Sequence, residues 1–245
     1  MKKRIVVVSG PGAGIGEQTV KRFLDNGDTV IGVDIIERDK INKEFIDNKN
    51  FSYQKTNVTV EKEISALFDL IDKEYGRVDI LCNIAGGYLG KSDIEEASQD
   101  DWNKVIDLNL TSVFLMSKYA VPIMKKNKFG RIISMSSVAG RMPTGKSCVA
   151  YAASKAGVIG FTKYMAMELG PFGITVNAVS PSTTMTDRAR KNKSEEDLAK
   201  LKAKVPVGRI AEPRDPVNVI FFLASDESDF INGTTLDVTG GFYMT

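Results

Sequence analysis

The sequence predicts an α/β fold: a single doubly wound, Rossmann-type domain on a mostly seven-stranded parallel sheet. Three observations predict it. Short β-branched runs alternate with helical stretches along the whole chain. The first run ends in a glycine-rich turn, Ser9-Gly10-Pro11-Gly12-Ala13-Gly14-Ile15-Gly16, and the second ends in an acid, Asp34. No Pro/Gly/Ser-rich linker or internal repeat breaks the alternation, so residues 1–245 read as one domain.

The elements follow in order. Residues 3–9 form a short apolar run ending at glycine, the pattern of a buried parallel strand. Residues 14–26 have helical spacing at Ile15, Thr19 and Phe23 and stop at Asn26-Gly27. Strands are expected at 29–34, 51–57, 78–83, 130–136, 175–180 and 236–238. Helices are expected at 61–75, where Ile64, Leu67, Phe68 and Ile71 share a face, and at 149–169, 194–204 and 216–223. A long unbroken helix is expected over 100–126. In such sheets ligands bind beyond the carboxyl ends of the strands. Attention therefore falls on residues 10–16, Asp34, Asn57, 83–86, Ser136-Ser137 and 180–186.

Composition excludes several classes. The chain is 42% apolar and 26% charged, as in ordinary soluble domains, and its net charge of +2 gives no surplus for nucleic acid or an anionic membrane. The apolar run at 5–8 is too short for a signal peptide and no stretch can span a bilayer, so a cytoplasmic protein without a membrane partner is expected. There is no histidine, which removes histidine triads and most catalytic zinc; no metal is expected. Cys82 and Cys148 lie far apart and suggest no disulfide framework.

Two motifs carry chemistry. The glycines of residues 10–16 permit a tight turn and close approach of a diphosphate to N–H groups at a helix start. A carboxylate at Asp34 can accept both ribose hydroxyls of an adenosine and repels a 2′-phosphate, which indicates NAD. In Tyr151-Ala152-Ala153-Ser154-Lys155 the tyrosine and lysine lie one helical turn apart on one face. An ammonium there is expected to lower the phenol pKa and make the pair an acid/base near neutrality.

With these residues in place, the chain resembles the classical short-chain dehydrogenase/reductase family over essentially its whole length. Residues 9–16 resemble T-G-x-x-x-G-x-G, with Ser9 for Thr; Cys82-Asn83-Ile84-Ala85-Gly86 resembles the N-N-A-G segment; and Tyr151 and Lys155 match Y-x-x-x-K. Pro181 and Thr186 fit P-G-x-x-x-T. Ile84, Ser182 and Thr239 depart from the family pattern. The resemblance implies a catalytic set of Asn109, Ser137, Tyr151 and Lys155. Tyr151 would exchange a proton with the substrate oxygen, Ser137 would hold that oxygen, and Lys155 would bond the nicotinamide ribose. Asn109 would organise a helix carbonyl and a water. It further implies an NAD site at Gly10, Gly12, Ala13, Gly14, Ile15 and Gly16; at Asp34, Ile35, Asn57 and Val58; at Asn83, Ala85 and Gly86; and at Pro181, Ser182, Thr184 and Thr186, with Tyr151 and Lys155. A mobile lid over residues 185–205 and a homotetramer are implied as well.

The expected activity is interconversion of a small-molecule secondary alcohol and ketone with NAD(H). The pattern is also similar to 3-oxoacyl-carrier-protein reductases, which usually prefer NADPH; Asp34 counts against that. A cofactor-binding regulator without turnover is the reading outside the enzyme class. Residues 140–147, Gly-Arg-Met-Pro-Thr-Gly-Lys-Ser, match the P-loop pattern letter for letter. Their first glycine lies past the strand end and no downstream strand ends in a magnesium-binding Asp, so the match is read as coincidence.

Overall fold

The computed structural model describes residues 3–88, 90, 93–144, 147–191 and 194–244. Seven strands form one sheet: β1 (Ile5–Ser9), β2 (Thr29–Asp34), β3 (Phe51–Lys55), β4 (Ile80–Asn83), β5 (Gly130–Met135), β6 (Ile174–Pro181) and β7 (Thr235–Val238). Every pairing is parallel, in the order β3-β2-β1-β4-β5-β6-β7. The chain winds outward from β1 to β3, then returns past β1 to place β4 on its other side. That reversal opens a crevice at the carboxyl ends of β1 and β4.

Successive side chains of β1 enter opposite layers, as a period of two requires. Val7 joins Ile31, Leu81, Ile132 and Val176 under α3 (Glu61–Tyr75), α5 (Ser112–Asn127) and α6 (Val149–Leu169). Val6 and Val8 join Ile80, Ile133 and Val179 under α1 (Gly14–Asp25) and α9 (Arg214–Leu223). A strand buried on both faces must be apolar throughout, which is why β1 reads as a continuous run rather than an alternation. Among the described residues no helix is long and apolar enough to cross a membrane.

The helix expected over 100–126 forms as one continuous helical run, 99–127, with a π-bulge inside it. α4 (Gln99–Ile106) and α5 flank a wide π-type turn, Asp107–Thr111. Asn109 Nδ2 donates to the Val105 carbonyl (2.8 Å), and Ser112 Oγ donates to that of Leu108 (2.7 Å). These side chains occupy carbonyls that the helical ladder would use, and the backbone takes up an extra residue. The short helix α2 (Lys43–Ile46), capped by Asn42, went unread in the sequence, whereas α7 (Asp187–Lys191) falls in the polar stretch 188–205 that reads as mostly helical. The helix expected over 194–204 forms as α8 (Glu195–Ala203), with a reciprocal cap between Ser194 and Asp197. The strand expected over 78–83 starts at Ile80. The Asp79 carboxylate accepts the Ile5 N–H (2.7 Å) and pairs with Arg77, which fixes the entry to the sheet.

Candidate active site

The crevice is built on Ser9. Its buried hydroxyl oxygen accepts N–H bonds from Ile84 (2.9 Å) and Ala85 (3.1 Å), tying the end of β1 to the loop after β4. Gly16 then brings α1 onto the turn: a Cβ there would lie 1.9 Å from the Gly10 carbonyl oxygen. Gly14 has φ +60°, and a Cβ on it would meet Thr186 Cγ2 at 2.9 Å. The residue capping α1 is Ala13, which offers no side-chain acceptor to the first-turn N–H groups. Asp34 closes this end. Its carboxylate accepts the N–H of Gly12 (3.3 Å) and of Ile35 (2.8 Å).

From this turn a cleft of about 1160 Å³ runs across the strand ends to Ser137, Tyr151 and Lys155. Gly10, Gly12, Ala13, Gly14, Ile15, Gly16, Asp34, Ile35, Asn57, Val58, Ala85 and Gly86 line one part of it. Pro181, Ser182, Thr184 and Thr186 line it from the end of β6. There the chain is braced by the Met185 N–H, which donates to the Ala211 carbonyl (2.8 Å). The Thr186 hydroxyl oxygen accepts the Ala189 N–H (3.3 Å) at the start of α7.

Two residues expected in the site lie beneath it. Asn83 is buried and does not line the cleft; its Nδ2 reaches Ser134 Oγ (3.2 Å) and Ser117 Oγ (3.4 Å), joining β4 to β5 and α5. A side chain at the last residue of β4 points into the layer below when the next residue turns out to the crevice. Asn109 is fully buried and grips Gly87 by both backbone groups. Nδ2 donates to Gly87 O (2.6 Å), and Oδ1 accepts the Gly87 N–H (2.9 Å). The π-type turn holds the loop after β4 in this way. Residues 145 and 146, within the stretch that matches the P-loop pattern, and 192 and 193, within the expected lid, lie outside the described residues, as do 89, 91 and 92.

The cleft also contains residues that the sequence reading missed. Tyr88 stands beside Tyr151, with ring centroids 5.2 Å apart and planes tilted by 60°. Thr144 and Ser147 bring hydroxyls 3.3 Å apart, Lys40 lines the same cleft, and Phe242 arrives from the C-terminal end. Phe242 meets the site through tertiary folding alone. Tyr88 carried a signal, since it is the first side chain after Gly86-Gly87.

The electrostatics depart from the sequence expectation. Lys155 is fully buried and donates to the Met135 carbonyl (2.8 Å); desolvation lowers its pKa to about 7. Burial pushes the Tyr151 phenol up, and its contact with the Ser137 hydroxyl draws it partly back; Tyr88 and Cys148 add to the rise. Lys155 Nζ lies 5.5 Å from the Tyr151 ring centre. In the ligand-free chain both groups are driven toward neutrality. The expected lowering of the phenol by an ammonium is absent, because burial penalises both charged forms.

The chain was compared with known proteins. The family described as enoyl-(acyl carrier protein) reductase matches residues 10–243. The 3-oxoacyl-acyl-carrier-protein reductase of Vibrio harveyi is 38% identical over 244 residues, spanning 100% of this chain and 99% of its own. The Escherichia coli K12 protein of the same name is 38% identical over 241 residues, 98% of each chain. Ligand-free aldohexose dehydrogenase of Thermoplasma acidophilum has a similar structure, with TM-score 0.88 at 32% identity, covering 98% of this chain and 94% of that one.

The Lys155 shift has a signed consequence for stability. Below about pH 7 the amine is protonated in folded and unfolded chains alike, and folding bears the full cost of burying the charge. Between about 7 and 10.5 the folded chain has lost the proton and the unfolded chain has not, so this group's contribution rises with pH. Urea unfolding of ligand-free parent and Lys155→Met should show the parent gaining at least ~1 kcal/mol on the variant between about pH 7.5 and 9.5. A difference flat with pH would show that the amine keeps its charge when buried.

Proposed function

The chain belongs to the classical short-chain dehydrogenase/reductase family, and from that premise we propose that it interconverts a secondary alcohol and a ketone with NAD(H), Tyr151 acting as acid and base. The observation that carries this reading is the meeting of Ser137, Tyr151 and Lys155 in one cleft with the glycine turn. The residues fit a dinucleotide. The start of α1 lacks a side-chain cap, which leaves its N–H groups to an incoming diphosphate, and the turn passes close to the acid, a Cβ at Gly12 standing 3.2 Å from Asp34 Oδ2. Bound there, the nicotinamide supplies the hydride donor or acceptor.

The chain's own residues do the rest. Tyr151, held protonated by burial, gives its proton to the substrate oxygen in reduction and takes it back in oxidation. The Ser137 hydroxyl fixes that oxygen. Lys155 would hold the ribose hydroxyls, and any positive charge it gains there favours the phenolate. Asn109 acts through Gly87 and touches neither partner. The segment 185–205 serves as a lid, and the chain acts as one domain. Two buried, unpaired cysteines, Cys82 and Cys148, suit a reducing cytoplasmic setting.

Cofactor choice rests on Asp34 against Lys40. Asp34 disfavours a 2′-phosphate by like charge, whereas Lys40, lining the same cleft, is the observation that favours NADP(H). The parent is expected to prefer NAD(H) at least ~10-fold, and Asp34→Ala to narrow the gap, in fluorescence titrations with both cofactors. Equal binding by the parent would remove Asp34 as the discriminator.

Tyr151→Phe keeps the ring and removes the transferable proton. Turnover should fall about 10²–10⁴-fold while NADH binding survives. Retention of more than about a tenth of the activity would exclude Tyr151 as the acid/base. Acyl thioesters are the second substrate reading, favoured by the names of the reductases this chain is similar to in sequence.

We further propose a homotetramer. Phe114 on α5 and Tyr164 and Met167 on α6 are 46%, 64% and 70% exposed, apolar surface that a matching face on another copy would cover. Light scattering at micromolar concentration should give about four times the chain's 26.8 kDa, and a monomer would reject the assembly.

A further inference from the structure

We propose that Tyr88 is a specificity-determining residue of this site, biasing it toward substrates whose reacting carbon belongs to a hydroxylated ring and against open-chain alcohols and ketones. The inference rests on the dehydrogenase reading above and deepens it.

Position comes first. Tyr88 is the first side chain after the bare pair Gly86-Gly87, and glycines alone would leave its ring free to wander. They do not, because Asn109 grips both backbone groups of Gly87 and is itself anchored to the Val105 carbonyl. Gly86 packs closely on the same side chain: a Cβ there would lie 2.7 Å from Asn109 Oδ1. The residue before Tyr88 is therefore held by a buried side chain, and the ring inherits that placement.

Distance comes next. The Tyr88 and Tyr151 rings are 5.2 Å apart, inside the range of a packed aromatic pair. An acid must come within about 3 Å of the oxygen it protonates. The groups attached to the reacting carbon then lie within contact of a ring that already touches the acid. Tyr88 is still 38% exposed and lines the cleft, so part of its surface is available to a ligand.

Chemistry decides the class. An aromatic face carries negative potential and packs best against a flat array of C–H bonds. A saturated ring presents several such bonds at once and has few rotors to freeze. An open chain has more rotors to immobilise on binding, which offsets part of the contact it makes. Thr144 and Ser147 add two neighbouring hydroxyls to the same cleft, each able to donate and accept. An aromatic wall with paired hydroxyls suits a ring bearing hydroxyl groups.

The test measures kcat and KM for parent, Tyr88→Phe, Tyr88→Leu and Tyr88→Ala. The substrates are cyclohexanol, glucose and myo-inositol on one side, and 2-hexanol and a 3-hydroxybutyryl thioester on the other. The parent should favour its best ring substrate over the best open-chain one in kcat/KM. Tyr88→Ala and Tyr88→Leu should each cut that ratio by about three- to tenfold, mainly through KM, as loss of uniform binding requires. Tyr88→Phe should keep it within about twofold, since the ring rather than the hydroxyl is invoked. Two substitutions with different bulk guard against a local folding defect, which thermal unfolding would register. An unchanged ratio in both, a parent preferring open chains, or a loss in kcat common to all substrates would overturn the role of Tyr88 and leave the dehydrogenase reading standing. A parent inactive on every alcohol and on the matching ketones would overturn both.

Discussion

A lysine amine buried at the wall of the cleft is the constraint around which this structure is arranged. Lys155 can be buried only if its nitrogen finds an acceptor and its neighbours leave it room. The Met135 carbonyl at the end of β5 provides the acceptor, and glycines provide the room. A Cβ at Gly86 would lie 3.2 Å from the amine, one at Gly140 would lie 2.6 Å from the Lys155 carbonyl carbon, and one at Gly157 would meet Leu110 at 2.7 Å. The loop after β4, the turn after β5 and the π-type turn thus all approach α6 where side chains are missing. Ser136 completes the fit, its hydroxyl donating to the Lys155 carbonyl (2.9 Å).

The same burial sets the resting state of the chemistry. Separating charge between Tyr151 and Lys155 would place two ions in a medium that solvates neither, so the ligand-free pair is pushed toward phenol and amine. Hydroxyl groups and charge brought in by a ligand would change that balance, because hydrogen bonds to the charged form favour it. The pair is thereby coupled to occupancy of the cleft: its protonation belongs to the complex more than to the free chain.

How much of this could be read from the sequence depends on the length scale of the cause. The order and type of the long elements were legible, because apolar period and strand-ending glycines are local signals; β2, α3 and α6 appear with the bounds expected. The π-bulge in the helix over 100–126 was not. A single inserted residue barely disturbs a 3.6-residue pattern, and its cause is one amide choosing the Val105 carbonyl over water. The residues that line the crevice were legible from their place at strand ends. Asn83 was misassigned to the cleft, because its neighbours face it and a strand alternates sides. The spacing of Lys155 from Tyr151 is visible in the sequence and its desolvation is not.

The P-loop match shows where letters and physics part. In a phosphate-binding turn the first glycine is bare so that backbone N–H groups can close around an anion. Gly140 is bare for another reason: it is pressed against the backbone of α6 at Lys155 and Ala156, leaving no space there for an anion of any kind. Its N–H is also taken, donating to the Ser137 carbonyl (2.9 Å). Gly145 and Lys146 lie outside the described residues, yet the motif fails at its first position. The glycine that the pattern would assign to a nucleotide instead lets a helix come close enough to bury Lys155.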